Sequence, residues 1–382
     1  MTQEMRAAPA RFRLQVPDET LRDLTERLAR TRWPDEPPES GWEHGTDLAY
    51  LRSLVDYWRS GYDWRKHEAE INRFEQYKVK LAGIDVHFIH ERGTGPRPMP
   101  LLISHGWPGS VFEFHKLIPM LADPARFGGD PADAFTVVAP SLPGYTLSFA
   151  AGRRFSDEES AAVLAPLMTE VLGYERFGTH GGDRGAFVTS RLAHDHPDRV
   201  AGIHLTLLAV RRDFKFEDPS EEERRFLDDF SRWMKEESGY MWMQGTRPQT
   251  LAYGVTDSPV GLAAWMIEKF YRWTGRPDLD AYFGRDLLLT AIMLYWVTGS
   301  IGSSFWPYYA RAHGPWPLPD RIRVPMGYAE LAKELVRPPR SVAEPVYADI
   351  RRWSRLESGH FPALEQPEAL AREIREFFRP LR

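Results

Sequence analysis

The chain has 382 residues, of which 42% are hydrophobic and 27% charged, and its formal net charge is −5. This composition is typical of a globular protein with a sizeable core, and the spread of basic residues argues against nucleic acid or an anionic membrane as the main partner. The sequence contains no cysteine, which excludes a disulfide framework, thiolate chemistry and a zinc–thiolate site and fits a reducing, cytoplasmic environment.

The N-terminal residues lack the apolar core that a signal peptide needs. The longest apolar stretch, residues 287–297, is too short to span a bilayer and is typical of a buried helix. We therefore expect a soluble, cytoplasmic protein without a membrane anchor.

The front of the chain is predicted to be helical. Residues 1–10 are expected to form a disordered tail. Apolar residues at helical spacing then predict a helix from Asp18, a second over 47–60 and a third over 63–75. This portion carries no catalytic constellation of its own, so we predict that residues 1–76 form an extension packed on the rest.

Strands and helices alternate over residues 77–210. The pattern predicts a hairpin over 77–81 and 84–90, strands over 100–104, 135–139, 176–180 and 200–205, and helices over 111–121, 161–172 and 186–194. Such alternation indicates an α/β protein whose doubly wound sheet is mostly parallel. We assign these residues to the first part of a core domain.

The alternation stops at about residue 211. Residues 211–320 are predicted to form a helical cap, and 321–382 to complete the core. The predicted helices of the cap cover 219–237, 258–273 and 285–298, and the returning core elements are strands over 323–326 and 352–356 and a helix over 363–378. Sites of open α/β sheets lie at the carboxyl ends of the strands, and the cap is expected to cover that edge.

The segment GGDRG at 181–185 follows a predicted strand and precedes a predicted helix. A sharp strand-to-helix turn with small residues on both sides of a central side chain is typical of a nucleophile elbow. The central residue is Asp183, a carboxylate that needs no base to become a nucleophile and suits attack on an sp³ carbon. The alternative interpretation is an ordinary loop aspartate that caps the following helix.

The segment SHGWPG at 104–109 follows another predicted strand, at the place where a hydrolase sheet supplies an oxyanion-hole amide. Pro108 has no N–H, so the Trp107 amide is the predicted donor, and the Arg184 amide is the predicted second donor. Two amides that point at one oxygen stabilise a tetrahedral intermediate. His105 is expected to be structural, and the segment could also be a simple connecting turn.

His360, in the segment ESGHFP, is the only histidine that follows the last predicted strand. The chain order nucleophile, acid, histidine is that of the α/β hydrolases, so His360 is the candidate base. The acid should follow the strand over 323–326. Glu330 and Glu334 both qualify, Asp349 is a weaker candidate, and the spacing alone does not choose between them.

With these motifs in place, the chain resembles the α/β-hydrolase epoxide hydrolases of the microsomal and juvenile-hormone type, over about residues 12–378. The resemblance is carried by several segments of this sequence: TRWP in the extension, HGWPGS, SLPGY, GGDRG, GHF, and the cap segments QGTRPQT, DSPVGL and Tyr295-Trp296. Animal relatives carry an N-terminal membrane anchor, and we expect no counterpart of it in this protein. Bacterial relatives act in detoxification and in natural-product biosynthesis, and the motifs do not separate these two roles.

The resemblance implies roles for individual residues. Asp183 matches the nucleophile of the family, His360 its base and Glu334 its acid, with Glu330 a minor rival. Tyr240 and Tyr308 match two cap tyrosines that polarise the epoxide oxygen, and Tyr309 leaves an ambiguity of one residue. The family requires neither a metal nor a cofactor.

The resemblance also leaves questions open. Arg184 stands where many relatives carry an aromatic residue, and a side chain facing the pocket would alter substrate preference. Trp107, Trp242 and Trp306 are the candidate substrate-binding residues. Cap aromatic residues such as Trp242, Trp265 and Trp306 suggest a bulky apolar epoxide, and the alternative is that they fill the core of the cap. The expected partners are a small-molecule apolar epoxide and water, with a homodimer as a possible assembly. The alternative functions are a haloalkane dehalogenase with the same nucleophile and a non-catalytic binding protein.

Overall fold

The computed structural model describes residues 8–316, 318, 320–334 and 336–382. One nine-stranded sheet forms the centre, in the order β1-β2-β3-β5-β4-β6-β7-β8-β9. Its strands are β1 (Ala10–Arg11), β2 (Gln76–Leu81), β3 (Ile84–Glu91), β4 (Met99–Ser104), β5 (Phe135–Pro140), β6 (Phe177–Gly181), β7 (Val200–Leu205), β8 (Met326–Leu331) and β9 (Ile350–Leu356).

The sheet is antiparallel at one edge and parallel elsewhere. Strands β1, β2, β3 and β5 pair antiparallel in that order, and all pairs from β5 through β4 to β9 are parallel. The residues of β5, β6 and β7 are all buried, as expected for central strands covered on both faces. The predicted α/β-hydrolase fold with a mostly parallel sheet is confirmed.

Helices precede the sheet, cover it and fill the insertion. They are α1 (Asp18–Ala29), α2 (Leu48–Ser60), α3 (Trp64–Ile71), α4 (Leu117–Ala122), α5 (Asp157–Pro166), α6 (Asp183–Asp195), α7 (Glu221–Glu236), α8 (Gly239–Thr246), α9 (Pro248–Asp257), α10 (Pro259–Thr274), α11 (Leu279–Phe283), α12 (Arg285–Thr298), α13 (Ile301–Ser304), α14 (Trp306–His313), α15 (Arg340–Ala343), α16 (Pro362–Glu365) and α17 (Pro367–Phe378).

The insertion between β7 and β8 is helical throughout its regular elements, α7 to α14. The sequence predicted three of these helices, and five shorter ones were missed. No single helix in the described part of the chain is long and apolar enough to cross a membrane; one pair, Arg285–Thr298 with Ile301–His313, meets the length and composition criteria jointly but is bent by 102°. The division of the chain at residues 76, 210 and 320 stays a prediction.

Several element boundaries differ from the predicted ones. Strand β8 begins at Met326, where the predicted strand ended, so Glu330 lies inside a strand. Helix α5 begins earlier than predicted because Ser156 and Glu159 form a capping box. The predicted last helix is split before Pro367, because proline disfavours the helical conformation in the residue that precedes it. The predicted tail reaches into β1, while residues 1–7 lie outside the described residues.

The N-terminal extension contacts the cap at many points. The ring of Trp42 stacks on Tyr271 with 3.9 Å between centroids. Three tyrosine hydroxyls of the extension bond to cap side chains, at 2.7–3.0 Å: Tyr50 with Asp280, Tyr57 with Asp286 and Tyr62 with Thr290. Arg27 pairs with Asp257 at 2.7 Å. Because these contacts join residues more than 200 positions apart, the extension ties the cap to the body of the protein.

Candidate active site

The turn between β6 and α6 is tightly constrained. Asp183 is the first residue of α6 and has φ of 44°, a left-handed conformation that is costly for a residue with a side chain. The helix therefore begins at the nucleophile candidate itself, three residues before the predicted start at 186. A Cβ on Gly185 would lie 2.0 Å from the Ser104 carbonyl oxygen, and one on Gly181 would lie 2.3 Å from the Gly185 carbonyl oxygen. Only glycine fits at these two positions.

The loop after β4 holds one oxygen of Asp183. The Trp107 amide donates to Asp183 Oδ1 at 2.8 Å. A Cβ on Gly106 would lie 2.3 Å from the Asp183 Cβ, so this loop approaches the elbow as closely as backbone can. From the cap, the Tyr295 hydroxyl donates to the Gly109 carbonyl at 2.6 Å and fixes the far end of the loop. The predicted Trp107 amide is therefore in place at the carboxylate.

His360 lies between two carboxylates. Its Nδ1 is 2.7 Å from Glu334 Oε2, and its Nε2 is 3.7 Å from Asp183 Oδ2. Burial lowers the pKa of His360, but the charge and hydrogen bond of Glu334, together with the charge of Asp183, outweigh burial and raise it to about 9. The short bond to Glu334 places a proton on Nδ1 and leaves Nε2 facing Asp183.

Glu334, and not Glu330, is the acid that meets the histidine. Glu330 lies within β8, where its Oε1 is 3.8 Å from Arg355 on the neighbouring strand. Glu334 follows the strand and turns toward the loop that carries His360. The third candidate, Asp349, pairs with Arg351 at 2.9 Å.

His105 is part of the packing beneath the site. It is fully buried, its Nε2 accepts from the Leu142 amide at 3.1 Å, and its Nδ1 lies 3.0 Å from the Gly106 carbonyl oxygen. Burial lowers the pKa of His105 to about 4. A ring that stays neutral and makes two backbone contacts is structural, as expected.

An aromatic cluster closes the site from the cap side. The Trp107 ring is stacked on Tyr240 at 5.5 Å and contacts Tyr308 edge-on at 6.0 Å. The two tyrosine rings are 5.8 Å apart, and the buried Tyr308 hydroxyl has no hydrogen-bond partner among the described residues. Burial raises the pKa of both tyrosines, so both hydroxyls keep their protons at neutral pH. Two protonated phenols are thus near enough to Asp183 for its negative charge to add to the rise in their pKa.

Trp273 belongs to this cluster and was missed by the sequence analysis. Its ring is 5.1 Å from Tyr240 and 4.7 Å from His360. Its carbonyl oxygen accepts from the His360 amide at 3.0 Å. A tryptophan near the end of an apolar cap helix gives no signal of its own, because core tryptophans occur in the same pattern.

A cavity of about 80 Å³ opens beside Asp183 and His360. Its walls are mainly apolar and come from the core as well as the cap: Phe187, Leu207, Leu208, Val210, Phe214, Phe230, Trp233, Tyr240 and Trp273, with Glu334 and Thr206 among the polar residues. Tyr308 contacts the ring of Tyr240 and is not among the residues that line this cavity in the structure. Such a lining favours an apolar ligand that approaches the carboxylate.

A second, smaller cavity of about 20 Å³ lies on the other side of the carboxylate, between Gly106, Asp183, His360 and Glu113. Its volume is sufficient for a single water molecule. Burial raises the pKa of Glu113 to about 8, with His360 opposing the rise and Asp183 adding to it. Glu113 was missed in the sequence because a glutamate in an apolar helical stretch looks like an exposed position.

Of the three predicted substrate-binding tryptophans, Trp242 and Trp306 line neither of these two cavities, and Trp107 lines the smaller cavity but not the 80 Å³ one, which corrects that prediction. Trp242 is 55% exposed, because helix α8 turns Tyr240 and Gln244 inward and a residue between them points outward. Trp306 stacks on Tyr309 at 4.8 Å. Tyr309 also stacks on His313 at 4.1 Å, whereas Tyr308 is the tyrosine whose ring contacts Trp107 and Tyr240. The geometry therefore favours Tyr308 over Tyr309 as the second cap tyrosine.

The Arg184 side chain also points away from the cavity. It is 6% exposed and forms a buried ion pair with Asp157 at the start of α5. Its guanidinium carbon lies 5.0 Å from the Tyr308 ring centroid. The condition under which this arginine would alter substrate preference, a side chain that faces the pocket, is therefore not met. Within the described residues, no group of three or more His, Asp or Glu side chains could hold a metal ion.

Comparisons with known proteins agree with this geometry. The family model described as epoxide hydrolase N terminus matches residues 9–114, and the model of the α/β-hydrolase fold matches residues 99–239. The chain is 42% identical to a protein provisionally named epoxide hydrolase from Stigmatella aurantiaca, over 97% of this chain and 85% of that protein. It is 36% identical to epoxide hydrolase 1 of Oryctolagus cuniculus, over 96% and 88% of the two chains.

Solved structures give the same result. The juvenile hormone epoxide hydrolase of the silkworm Bombyx mori matches with a TM-score of 0.88 and 29% identity, over 100% of this chain and 96% of that chain. The epoxide hydrolase of Aspergillus niger matches with a TM-score of 0.86 and 27% identity, over 98% and 97%.

Proposed function

Because the chain belongs to the epoxide hydrolases of the α/β-hydrolase fold, enzymes that hydrolyse epoxides, we propose that it does so through a covalent ester on Asp183. The observation that supports this route is the fixed carboxylate: Asp183 Oδ1 is held by the Trp107 amide, and Oδ2 faces His360. A carboxylate held by one oxygen presents the other one for attack.

In the first step, Asp183 Oδ2 attacks an epoxide carbon and the ring C–O bond breaks. The departing oxygen is an alkoxide, a poor leaving group, so the step needs hydrogen-bond donors at that oxygen. Tyr240 and Tyr308 are these donors, since both hydroxyls keep their protons and both rings contact Trp107 above the carboxylate. One of the tyrosines passes its proton to the alkoxide, and the product is a hydroxyalkyl ester of Asp183.

In the second step, water attacks the Cγ carbon of the ester while His360 Nε2 takes its proton. The Trp107 amide, already bonded to Oδ1, holds the negative charge that develops on that oxygen, and the Arg184 amide is the second donor. Collapse of the intermediate breaks the bond between Cγ and Oδ2, and the proton on His360 passes to the departing diol oxygen. The second proton of the water restores the tyrosine that protonated the alkoxide. The diol therefore leaves with the former Asp183 oxygen, and the water oxygen remains in the carboxylate. We place this water in the 20 Å³ cavity beside His360.

The charge on Asp183 controls when His360 acts. In the free enzyme the Asp183 carboxylate contributes to the raised pKa of His360. Ester formation removes that charge, so the pKa of His360 falls at the moment when a base is required. Glu334 keeps the ring in the tautomer that leaves Nε2 free to accept a proton.

The substrate class follows from the 80 Å³ cavity. Its apolar walls favour a small epoxide with an apolar substituent, and the Asp183 carboxylate, the Tyr240 hydroxyl and His360 supply polar groups.

The test is a single turnover of excess enzyme with styrene oxide in oxygen-18 water. The first diol should carry no label in its new hydroxyl, and the enzyme should carry one labelled oxygen in the peptide that contains Asp183. Label in that first diol would refute the covalent route. The matched variant His360→Gln should accumulate the ester, seen as an increase in the mass of the same peptide.

A further inference from the structure

We propose that the Arg184 side chain is a positioning residue that fixes Tyr308 and strengthens its hydrogen bond to the opening epoxide, and that Lys269 acts in the same way on Tyr240. The inference rests on the proposed function, in which both tyrosines donate to the epoxide oxygen. Its basis is that each of the two tyrosine rings has a buried cation near it.

Three polar contacts with two residues, Asp157 and Pro307, hold Arg184 against Tyr308. Its Nε donates to Asp157 Oδ1 at 3.2 Å, its Nη2 pairs with Asp157 Oδ2, and Nη2 also lies 3.4 Å from the Pro307 carbonyl oxygen. Pro307 directly precedes Tyr308, so the guanidinium contacts both the backbone and the ring of this part of α14. Arg184 and Asp157 are 6% and 4% exposed, and the Tyr308 ring is 6% exposed. Water therefore does not screen these charges well.

Lys269 occupies the corresponding place at Tyr240. Its Nζ lies 4.7 Å from the Tyr240 ring centroid, and it is 5% exposed. The same Nζ is 5.8 Å from the ring of Trp273, which contacts His360. Glu268 pairs with Lys269, so this cation is partly compensated, as Arg184 is by Asp157.

A cation near a phenol ring stabilises the transition state of epoxide opening more than it stabilises the ground state. When the hydroxyl donates to a developing alkoxide, negative charge shifts onto the phenol oxygen and ring, and the attraction to the cation increases. An interaction that is stronger in the transition state than in the ground state accelerates the step. A desolvated cation–π contact is worth enough to change a rate by about tenfold.

The experiment measures ester formation and ester hydrolysis separately, by rapid quench and peptide mass, in single turnovers with styrene oxide. Arg184→Met keeps the backbone amide and approximates the length of the side chain while removing its charge. We expect ester formation to slow about tenfold and ester hydrolysis to be unchanged. Arg184→Lys should recover part of the lost rate.

A double-mutant cycle assigns the effect to the tyrosine hydroxyl. In the Tyr308→Phe background the ring remains but no hydroxyl is present, so Arg184→Met should slow ester formation little further. Lys269→Met and Tyr240→Phe form the second cycle, with the same expectation. Equal losses from Arg184→Met in both backgrounds, or equal losses in both chemical steps, would overturn the proposal.

Two control variants test whether a loss of rate comes from disturbed folding. Arg184→Met leaves Asp157 buried without its partner, so the double variant Arg184→Met/Asp157→Asn removes both charges and should show the same selective loss. Arg352→Met breaks a remote ion pair with Glu373, and its kinetics should match the wild type. If the wild type forms no ester, the proposed function fails; if it forms the ester and Arg184→Met forms it as fast, only this inference fails.

Discussion

Replacing Glu334 by Gln tests the link between this carboxylate and the histidine. The substitution keeps the shape of the side chain but removes the charge that lies 2.7 Å from His360 Nδ1. In the wild type, Glu334 is the largest of the influences that raise the pKa of His360, and burial alone would lower it. The expected result is therefore a clear fall in the pKa of the ring.

The size of the fall follows from the contact. A hydrogen bond to a charged group contributes about 1.5–3 kcal/mol, which corresponds to about one to two pH units. We expect His360 to titrate lower than its wild-type value of about 9 by that amount. Ester hydrolysis should also slow by about 10²–10⁴-fold, because the ring loses its fixed tautomer and orientation.

The assay is NMR titration of the His360 ring, combined with single-turnover hydrolysis of the ester. Glu330→Gln is the matched control, since Glu330 faces Arg355 and should change neither quantity. An unchanged pKa of His360 in Glu334→Gln would refute the reasoning, as would a Glu330→Gln variant that behaves like Glu334→Gln.

Three further predictions concern the loop, pH and the extension. Gly106→Ala should slow ester formation about 10²-fold, measured by rapid quench, because its Cβ would lie 2.3 Å from the Cβ of Asp183; a normal rate would contradict this. The folded-state pKa of His360 is raised from 6.5 to about 9, so its stabilisation is complete below about pH 6.5 and is lost as the pH rises through 9. The difference in unfolding free energy between the wild type and His360→Gln should shrink by about 3 kcal/mol over this range in urea titrations, and a constant difference would contradict it. Trp42→Ala should lower stability by about 1–3 kcal/mol in thermal denaturation, through loss of its stack on Tyr271, and an unchanged melting temperature would contradict this.

Local patterns predicted the core well. The turn between β2 and β3 places Ala82 and Gly83 at φ of 48° and 76°, as a two-residue hairpin turn requires. The Ala-Gly pair between two alternating segments predicts this hairpin from the sequence. Strand β7 occupies the predicted residues because a continuous apolar run in a parallel sheet admits few alternatives. The positions of Asp183 and His360 follow from the chain order of the fold.

Features that depend on distant contacts were not predictable. Strand β1 has two residues and exists because it pairs with β2, more than 60 positions later. Strand β8 was placed too early because its glycine, Gly327, looks like a strand end, whereas it provides room for the Phe377 ring, 2.5 Å from where its Cβ would be. The short cap helices carry no repeated apolar face, and packing in three dimensions decides which aromatic residues point inward.

The extension described above has a consequence for how small molecules enter and leave. A cap joined to the core only through its two chain connections could rotate as a rigid body about those connections. The N-terminal extension adds a third attachment to the cap, through the stack of Trp42 on Tyr271 and the hydrogen bonds of Tyr50, Tyr57 and Tyr62. Rotation of the cap away from the core would break several of these contacts at once. We therefore expect small molecules to enter and leave through side-chain movements in the cavity wall, where Arg212 is exposed and Phe214 is half-buried, and not through movement of the whole cap.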